Sequence, residues 1–173
     1  VCEPMMRNTA PCIAYANHKI AAKNPNANIV VAPSDHLVLN QPEFDEIINA
    51  AIEQSDHKDC LVTLGIKPSR PDTGYGYIQF DPNSRLDYLE GFKVKTFAEK
   101  PHKKLAERFV LSGDFLWNGG MFIWKVSSFF NELQTHMAEF NSQLKKIEKK
   151  INSNQDFNRL WKKIQPESID YGL

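Results

Sequence analysis

Apolar residues in this chain come first as short continuous runs and later as helically spaced stripes. The run Ile29-Val30-Val31-Ala32 has the pattern of a strand buried on both faces. Pro33 has no N–H to give to a ladder and predicts the strand's end. Upstream, Val1-Cys2-Glu3-Pro4 reads as the tail of a strand, as if something before it were absent. Thr9 suits a helix N-cap with Pro11 in the first turn. Ile13, Ala16 and Ile20 give that helix an apolar face, ending near Asn24-Pro25. Asn40 and Pro42 open a second helix, with Phe44, Ile47, Ile48, Ala51 and Ile52 as its buried stripe. Cys60-Leu61-Val62-Thr63-Leu64 is a second buried strand, and the strand–helix–strand order predicts a parallel α/β sheet.

The pattern then changes. Gly65 to Thr73 is a loop with Pro68 and Pro71, and Gly74-Tyr75-Gly76-Tyr77 leads into a strand at Tyr77-Ile78-Gln79-Phe80. Phe92 to Ala98 alternates as another strand, stopped by Pro101. Leu105, Ala106, Phe109 and Val110 mark a short helix that ends at Gly113. Apolar runs at Phe115-Leu116-Trp117 and Met121-Phe122-Ile123-Trp124 flank Asn118-Gly119-Gly120. From Val126 the chain is mostly helical, with a break near Met137 and a last amphipathic stretch through Phe157, Leu160, Trp161 and Ile164. Lys145, Lys146, Lys149 and Lys150 read as a solvated helix face.

The 173 residues suffice for one domain with a core. Lys+Arg and Asp+Glu are both 21, so the net charge is zero, which argues against nucleic acid as the main partner. No apolar run reaches membrane-spanning length, and no basic-then-apolar signal opens the chain. Cys2, Cys12 and Cys60 are odd in number and widely spaced, fitting free thiols in a reducing cytoplasm. Neither they nor the histidines fall at zinc-ligand spacing.

Several positions carry candidate chemistry, each beside a plainer reading. Asp35 sits just past the carboxyl end of a buried strand, where ligands bind in open α/β sheets and where a carboxylate can hold a hard cation. Ser34 or Asp35 capping a turn is equally open. The glycines of Gly74-Tyr75-Gly76 allow close backbone approach to a ligand, or simply serve a turn. Glu99 could accept two sugar hydroxyls with Lys100 near a phosphate, although spacing alone favours an exposed ion pair. Asn118 could read a hydroxyl, but Asn-Gly between apolar runs is a strong hairpin signal, so the turn is favoured. Asp170 is a second candidate metal ligand that gains meaning only if paired with Asp35.

Taken in order, these segments resemble the sugar-1-phosphate nucleotidyltransferases, most like the mannose-1-phosphate guanylyltransferase branch. The resemblance rests on Glu3-Pro4 through Arg7-Asn8-Thr9-Ala10-Pro11, then Val31-Ala32-Pro33-Ser34-Asp35-His36. It continues through Leu64-Gly65-Ile66-Lys67-Pro68 and Thr73-Gly74-Tyr75-Gly76-Tyr77-Ile78. Phe97-Ala98-Glu99-Lys100-Pro101, Trp117-Asn118-Gly119-Gly120-Met121-Phe122 and Ser168-Ile169-Asp170-Tyr171 complete it. It implies an α/β fold, a partial Rossmann-like mixed sheet flanked by helices with the first strands missing. Residues 1–173 would be one nucleotidyltransferase domain, truncated at both ends. The implied reaction joins GTP and mannose 1-phosphate into GDP-mannose and pyrophosphate. By the family pattern Asp35 and Asp170 hold Mg2+ and act in catalysis. Gly76, Glu99, Lys100 and Asn118 bind the sugar phosphate, and Arg7 and Asn8 lie near the nucleotide.

The family's glycine-rich, arginine-containing phosphate loop and its following Pro-Lys segment do not appear among the eight glycines here. The expectation is therefore an internal fragment that does not catalyse transfer alone. Strands missing beside the Asp35 strand would leave open edges, predicting a homodimer or an otherwise protected edge. Other readings are another sugar-1-phosphate nucleotidyltransferase, a non-catalytic nucleotide-sugar-binding module, or a metal-dependent glycosyltransferase. The last usually carries a second aspartate two residues after the first, and position 37 is Leu37.

Overall fold

The structure, a computed structural model, describes residues 2–86, 91–153 and 155–172. In chain order the elements are α1 (Thr9–Ala21), β1 (Asn28–Val31), α2 (Gln41–Lys58), β2 (Val62–Ile66), β3 (Tyr77–Phe80) and β4 (Val94–Ala98). They continue with α3 (Lys103–Ser112), β5 (Phe115–Lys125), α4 (Val126–His136), α5 (Ala138–Asn152), α6 (Asn158–Trp161) and α7 (Ile169–Gly172). Two compact units divide the chain: Val1–Ile29 with Lys125–Leu173, and Val30–Trp124.

The first unit is built of helices. α1 is capped one residue earlier than the sequence implies: Asn8 is the N-cap and its side chain accepts from the Thr9 N–H at 2.8 Å. Its buried face is also rotated from the expected one. Ala10, Ala14, Tyr15, Asn17 and His18 are buried, whereas Ile20 is exposed. Neighbouring helices meet the small-residue face of α1, and Tyr15 packs edge-on against Trp161 at 5.4 Å. Trp161 is fully buried, and its indole N–H donates to the Met5 carbonyl at 2.7 Å. The break at Met137 is present, with φ −124° and ψ 49° between α4 and α5. Leu133, Leu144 and Ile147 fill the core on either side of it, and Lys145, Lys146 and Lys149 are at least partly exposed.

The second unit is a sheet with covering helices. The strand order is β1-β5-β3-β4, with β2 also on β5. β2 and β5, β3 and β5, and β3 and β4 all pair antiparallel. The parallel neighbours expected from the strand–helix–strand order are not formed: β1 and β2 each pair with β5. The result is the expected mixed α/β class, an antiparallel-dominated sheet with flanking helices. β1 is not buried on both faces. Ile29 is buried but Val30 is 41% exposed, the alternation of a strand covered on one side.

The expected hairpin at Asn118-Gly119-Gly120 is overturned. β5 runs unbroken from Phe115 to Lys125. Asn118 lies opposite Gly65 and Phe122 opposite Thr63, so the register shifts between them and β5 bulges with more residues than β2. The glycines serve this bulge. A Cβ on Gly119 would stand 2.9 Å from the Leu64 carbonyl oxygen, and Gly120 takes φ 64°. α3 stops at Gly113, φ 79°, as its sequence implies. It packs on Tyr77, Phe115 and Trp117, with Phe109 and Phe115 stacked at 3.9 Å.

Candidate functional site

Antiparallel register builds the first cluster. Tyr77 is paired with Ala98 on one side and with Trp117 on the other. The residue before Tyr77 and those after Ala98 and Trp117 therefore meet at the N-terminal end of β3, where its pairing with β4 and β5 stops. They are Gly76, Glu99 and Asn118. The Asn118 N–H donates to the Gly76 carbonyl at 2.8 Å. A Cβ on Gly76 would stand 2.7 Å from Glu99 Oε2 and 3.5 Å from the Cβ of Asn118. Glycine here keeps open the space in which the Glu99 carboxylate stands.

Lys100 Nζ lies 3.4 Å from Glu99 Oε1, and the lysine side chain is 66% exposed. The expected surface pair is thus present and adds little stability. Lys100 takes φ 40°, a conformation uncommon for a residue other than glycine. The Asn118 Oδ1 accepts from the Gly120 N–H at 3.0 Å, which fixes its carboxamide across the bulge. Asp35 is exposed in the loop after β1. Pro33, two residues before it, comes within 3.5 Å of where a Cβ on Gly120 would be, so this loop borders the same bulge. The cluster offers a carboxylate, a backbone carbonyl, a carboxamide and an ammonium group. Those are the partners that hydroxyls and a phosphate require.

The second cluster lies at the start of α1. The Glu167 N–H donates to the Arg7 carbonyl at 3.3 Å, and the Ala10 N–H to the Glu167 carbonyl at 3.0 Å. Thr9 Oγ1 accepts from the Ile169 N–H at 2.9 Å and lies 3.3 Å from Ser168 Oγ. Ser168 in turn donates to Asp170 Oδ2 at 2.7 Å. Asp170 is thereby held at the mouth of α1, close in space to Arg7 and Asn8. Arg7 Nη2 donates to the Lys162 carbonyl, so part of its guanidinium anchors the end of α6. Asn8 has φ 69° and ψ −173°, a region that glycine alone occupies freely. Thr9 and Ser168 escaped the sequence reading as site residues. No local pattern could link side chains 159 positions apart.

The structure thus brings together Gly76, Glu99, Lys100 and Asn118 in one unit, and Arg7, Asn8 and Asp170 in the other. Asp35 belongs to the first of these groups by chain position and Asp170 to the second. Among the described residues no three His, Cys, Asp or Glu side chains group as a metal cluster. No described helix is long and apolar enough to cross a membrane.

The chain is 38% identical over 180 residues to a mannose-1-phosphate guanylyltransferase of Escherichia coli, covering all of this chain and 39% of that protein. It therefore spans well under half the length of this curated relative. A solved structure described as mannose-1-phosphate geranyltransferase from Thermus thermophilus matches with TM-score 0.85 and 26% identity, over 100% of this chain and 48% of that one. A second, described as mannose-6-phosphate isomerase from Helicobacter pylori, matches with TM-score 0.81 and 27% identity, over 98% of this chain and 65% of that one. The nucleotidyl transferase family profile matches residues 1–164, and the chain belongs to that family.

Proposed function

We propose that the whole protein, to which this chain contributes nucleotidyltransferase residues, transfers GMP from GTP to mannose 1-phosphate. A phosphate oxygen of mannose 1-phosphate attacks the α-phosphorus of GTP. The new P–O bond forms as the α–β bridging bond breaks, giving GDP-mannose and pyrophosphate. The observation that carries this reading is the convergence of Gly76, Glu99 and Asn118 at the N-terminal end of β3. Glu99 accepts hydroxyls of the hexose, the Gly76 backbone and Asn118 carboxamide orient it, and Lys100 attracts its phosphate. Arg7 and Asn8 lie toward the nucleotide. Such transfer is mostly positioning and charge neutralisation.

Asp35 in one unit and Asp170 in the other each offer hard carboxylate oxygens, the donor type that would suit Mg2+ completed by phosphate and water oxygens. When bound, the ion neutralises phosphate charge. Free thiols at Cys2, Cys12 and Cys60 suit a cytoplasmic setting. β1 and β4 end the strand order, and their open edges support a homodimer, testable by scattering.

The test of function is pyrophosphate release by the whole protein, not this chain alone, with GTP, dTTP or UTP and mannose 1-phosphate. Release that requires GTP and magnesium, and is lost in Asp35→Ala, is the expected result. Preference for dTTP or UTP, or full turnover in Asp35→Ala, would contradict the assignment.

A further inference from the structure

The loop before β3 carries a cluster that the proposed chemistry does not use. Asp72 Oδ2 accepts from Arg70 Nε at 2.9 Å and from Arg70 Nη2 at 2.7 Å. Asp72 Oδ1 accepts from the Gly74 N–H at 2.8 Å. The Asp72 carbonyl accepts from the Tyr77 hydroxyl, also at 2.8 Å. Both carboxylate oxygens and the carbonyl of one residue are thus engaged. The Arg70 guanidinium in turn lies over the Trp117 ring, 5.3 Å from its centroid. Tyr75 covers the same ring, with centroids 5.0 Å apart.

These contacts end on the two residues that flank the cluster of Gly76, Glu99 and Asn118. Tyr77 follows Gly76, and Trp117 precedes Asn118. Tyr77 is fully buried and Trp117 nearly so, so each is a fixed point in the core. Gly76 and Asn118 are joined directly by the 2.8 Å backbone hydrogen bond. Gly76 lacks a side chain to pack, so beyond its bond to Asn118 and its link to Tyr77 it is placed by the loop that leads into it. The Gly74 N–H and the Arg70 side chain together hold the Asp72 carboxyl below the usual carboxylate range. Like an ordinary aspartate it is ionised at neutral pH and can accept from Arg70 and Gly74.

We propose that Asp72 is a positioning residue for the sugar phosphate, acting through Arg70, Gly74 and Tyr77 to set the distance between Gly76 and Asn118. This rests on the reading of Gly76, Glu99 and Asn118 as the sugar-phosphate cluster. Asp72 does not touch the ligand; it fixes the backbone that does. A small misplacement of positioning groups costs up to about a hundredfold in related systems.

The test compares wild type with Asp72→Ala, Asp72→Asn and Arg70→Ala. Mannose 1-phosphate and GTP binding are measured by calorimetry, and exchange of the Asn118 amide proton by NMR. In Asp72→Ala, mannose 1-phosphate affinity should fall roughly tenfold to a hundredfold while GTP affinity stays unchanged. Exchange at Asn118 should speed up. Asp72→Asn keeps an acceptor for the Gly74 N–H and should lose less, which gives a second variant if Asp72→Ala does not fold. Affinity and Asn118 exchange at wild-type values in Asp72→Asn and Arg70→Ala would overturn the proposal, as would an equal loss for GTP. Failure of the wild type to bind mannose 1-phosphate would instead sink the sugar reading. Asn118 exchange would then still decide whether Asp72 holds the two segments together.

Discussion

The two clusters are made by different means. Gly76, Glu99 and Asn118 meet because three neighbouring strands are in antiparallel register, and each residue is one step beyond the last position paired through β3. Arg7, Asn8 and Asp170 meet because the segment around Glu167 to Ile169 is hydrogen-bonded to the start of α1. Register is cooperative: shifting one strand would flip every side chain on it, so the first cluster is fixed by the whole sheet. The second depends on a few individual hydrogen bonds, each worth about 1 kcal/mol net. Substitutions in the first cluster should therefore change ligand affinity and spare the fold. Substitutions in the second should change stability more readily.

Gly76→Ala is the largest expected effect. The new Cβ meets the Glu99 Oε2 at the end of a flexible side chain, so the fold accommodates it and the carboxylate moves. Mannose 1-phosphate affinity should drop roughly tenfold or more, with the melting temperature near wild type. Calorimetry and thermal melting check both. A large loss of stability with unchanged affinity would show that Gly76 serves the fold alone.

Asn8 probes the other cluster. At φ 69° and ψ −173° its backbone is strained for any residue with a Cβ, while its side chain caps α1. Asn8→Ala loses the cap and keeps the strain, and should cost about 1–2 kcal/mol. Asn8→Gly loses only a few tenths for the cap and relieves the strain, so it should be neutral or stabilising by about 1 kcal/mol. Denaturant melts distinguish the two. Equal destabilisation would mean that the cap alone matters.

The smallest effect is on pH dependence. The Asp114 carboxyl is held below its ordinary value by hydrogen bonds from Gln79 and Ser112. A folded-state value below the unfolded one adds stability that is present above about pH 4 and fades as pH falls through the folded value. Asp114→Asn removes this contribution. Its stability should therefore decline less steeply than wild type in the acid limb below about pH 4, by circular dichroism. Identical acid limbs would remove Asp114 from the account.

The same contrast explains what is legible in the sequence. Local signals are: Pro42 at the start of α2, Gly113 at the end of α3, the break at Met137 and the strand at Tyr77–Phe80. Long-range ones are not. Asn118-Gly119-Gly120 has the composition of a hairpin turn, but Gly119 is small because the Leu64 backbone lies against it. Nothing near residue 119 announces residue 64. The expectation of parallel pairing follows from β1, α2 and β2 alone, and β5, which pairs with both strands, comes about 50 residues later. Glu99 and Asn118 can be joined from sequence only if antiparallel pairing of β3 with β4 and β5 is assumed. The Thr9–Ser168–Asp170 chain cannot.

In the proposed function, the cluster of Gly76, Glu99 and Asn118 at the start of β3 holds the sugar phosphate. Calorimetric titration of wild type and Glu99→Gln with mannose 1-phosphate tests it most directly. The variant keeps the side-chain shape and removes the charge that accepts the hydroxyls. Saturable binding in wild type, weakened by about tenfold or more in Glu99→Gln, is the predicted result. Equal dissociation constants for the two proteins would contradict it.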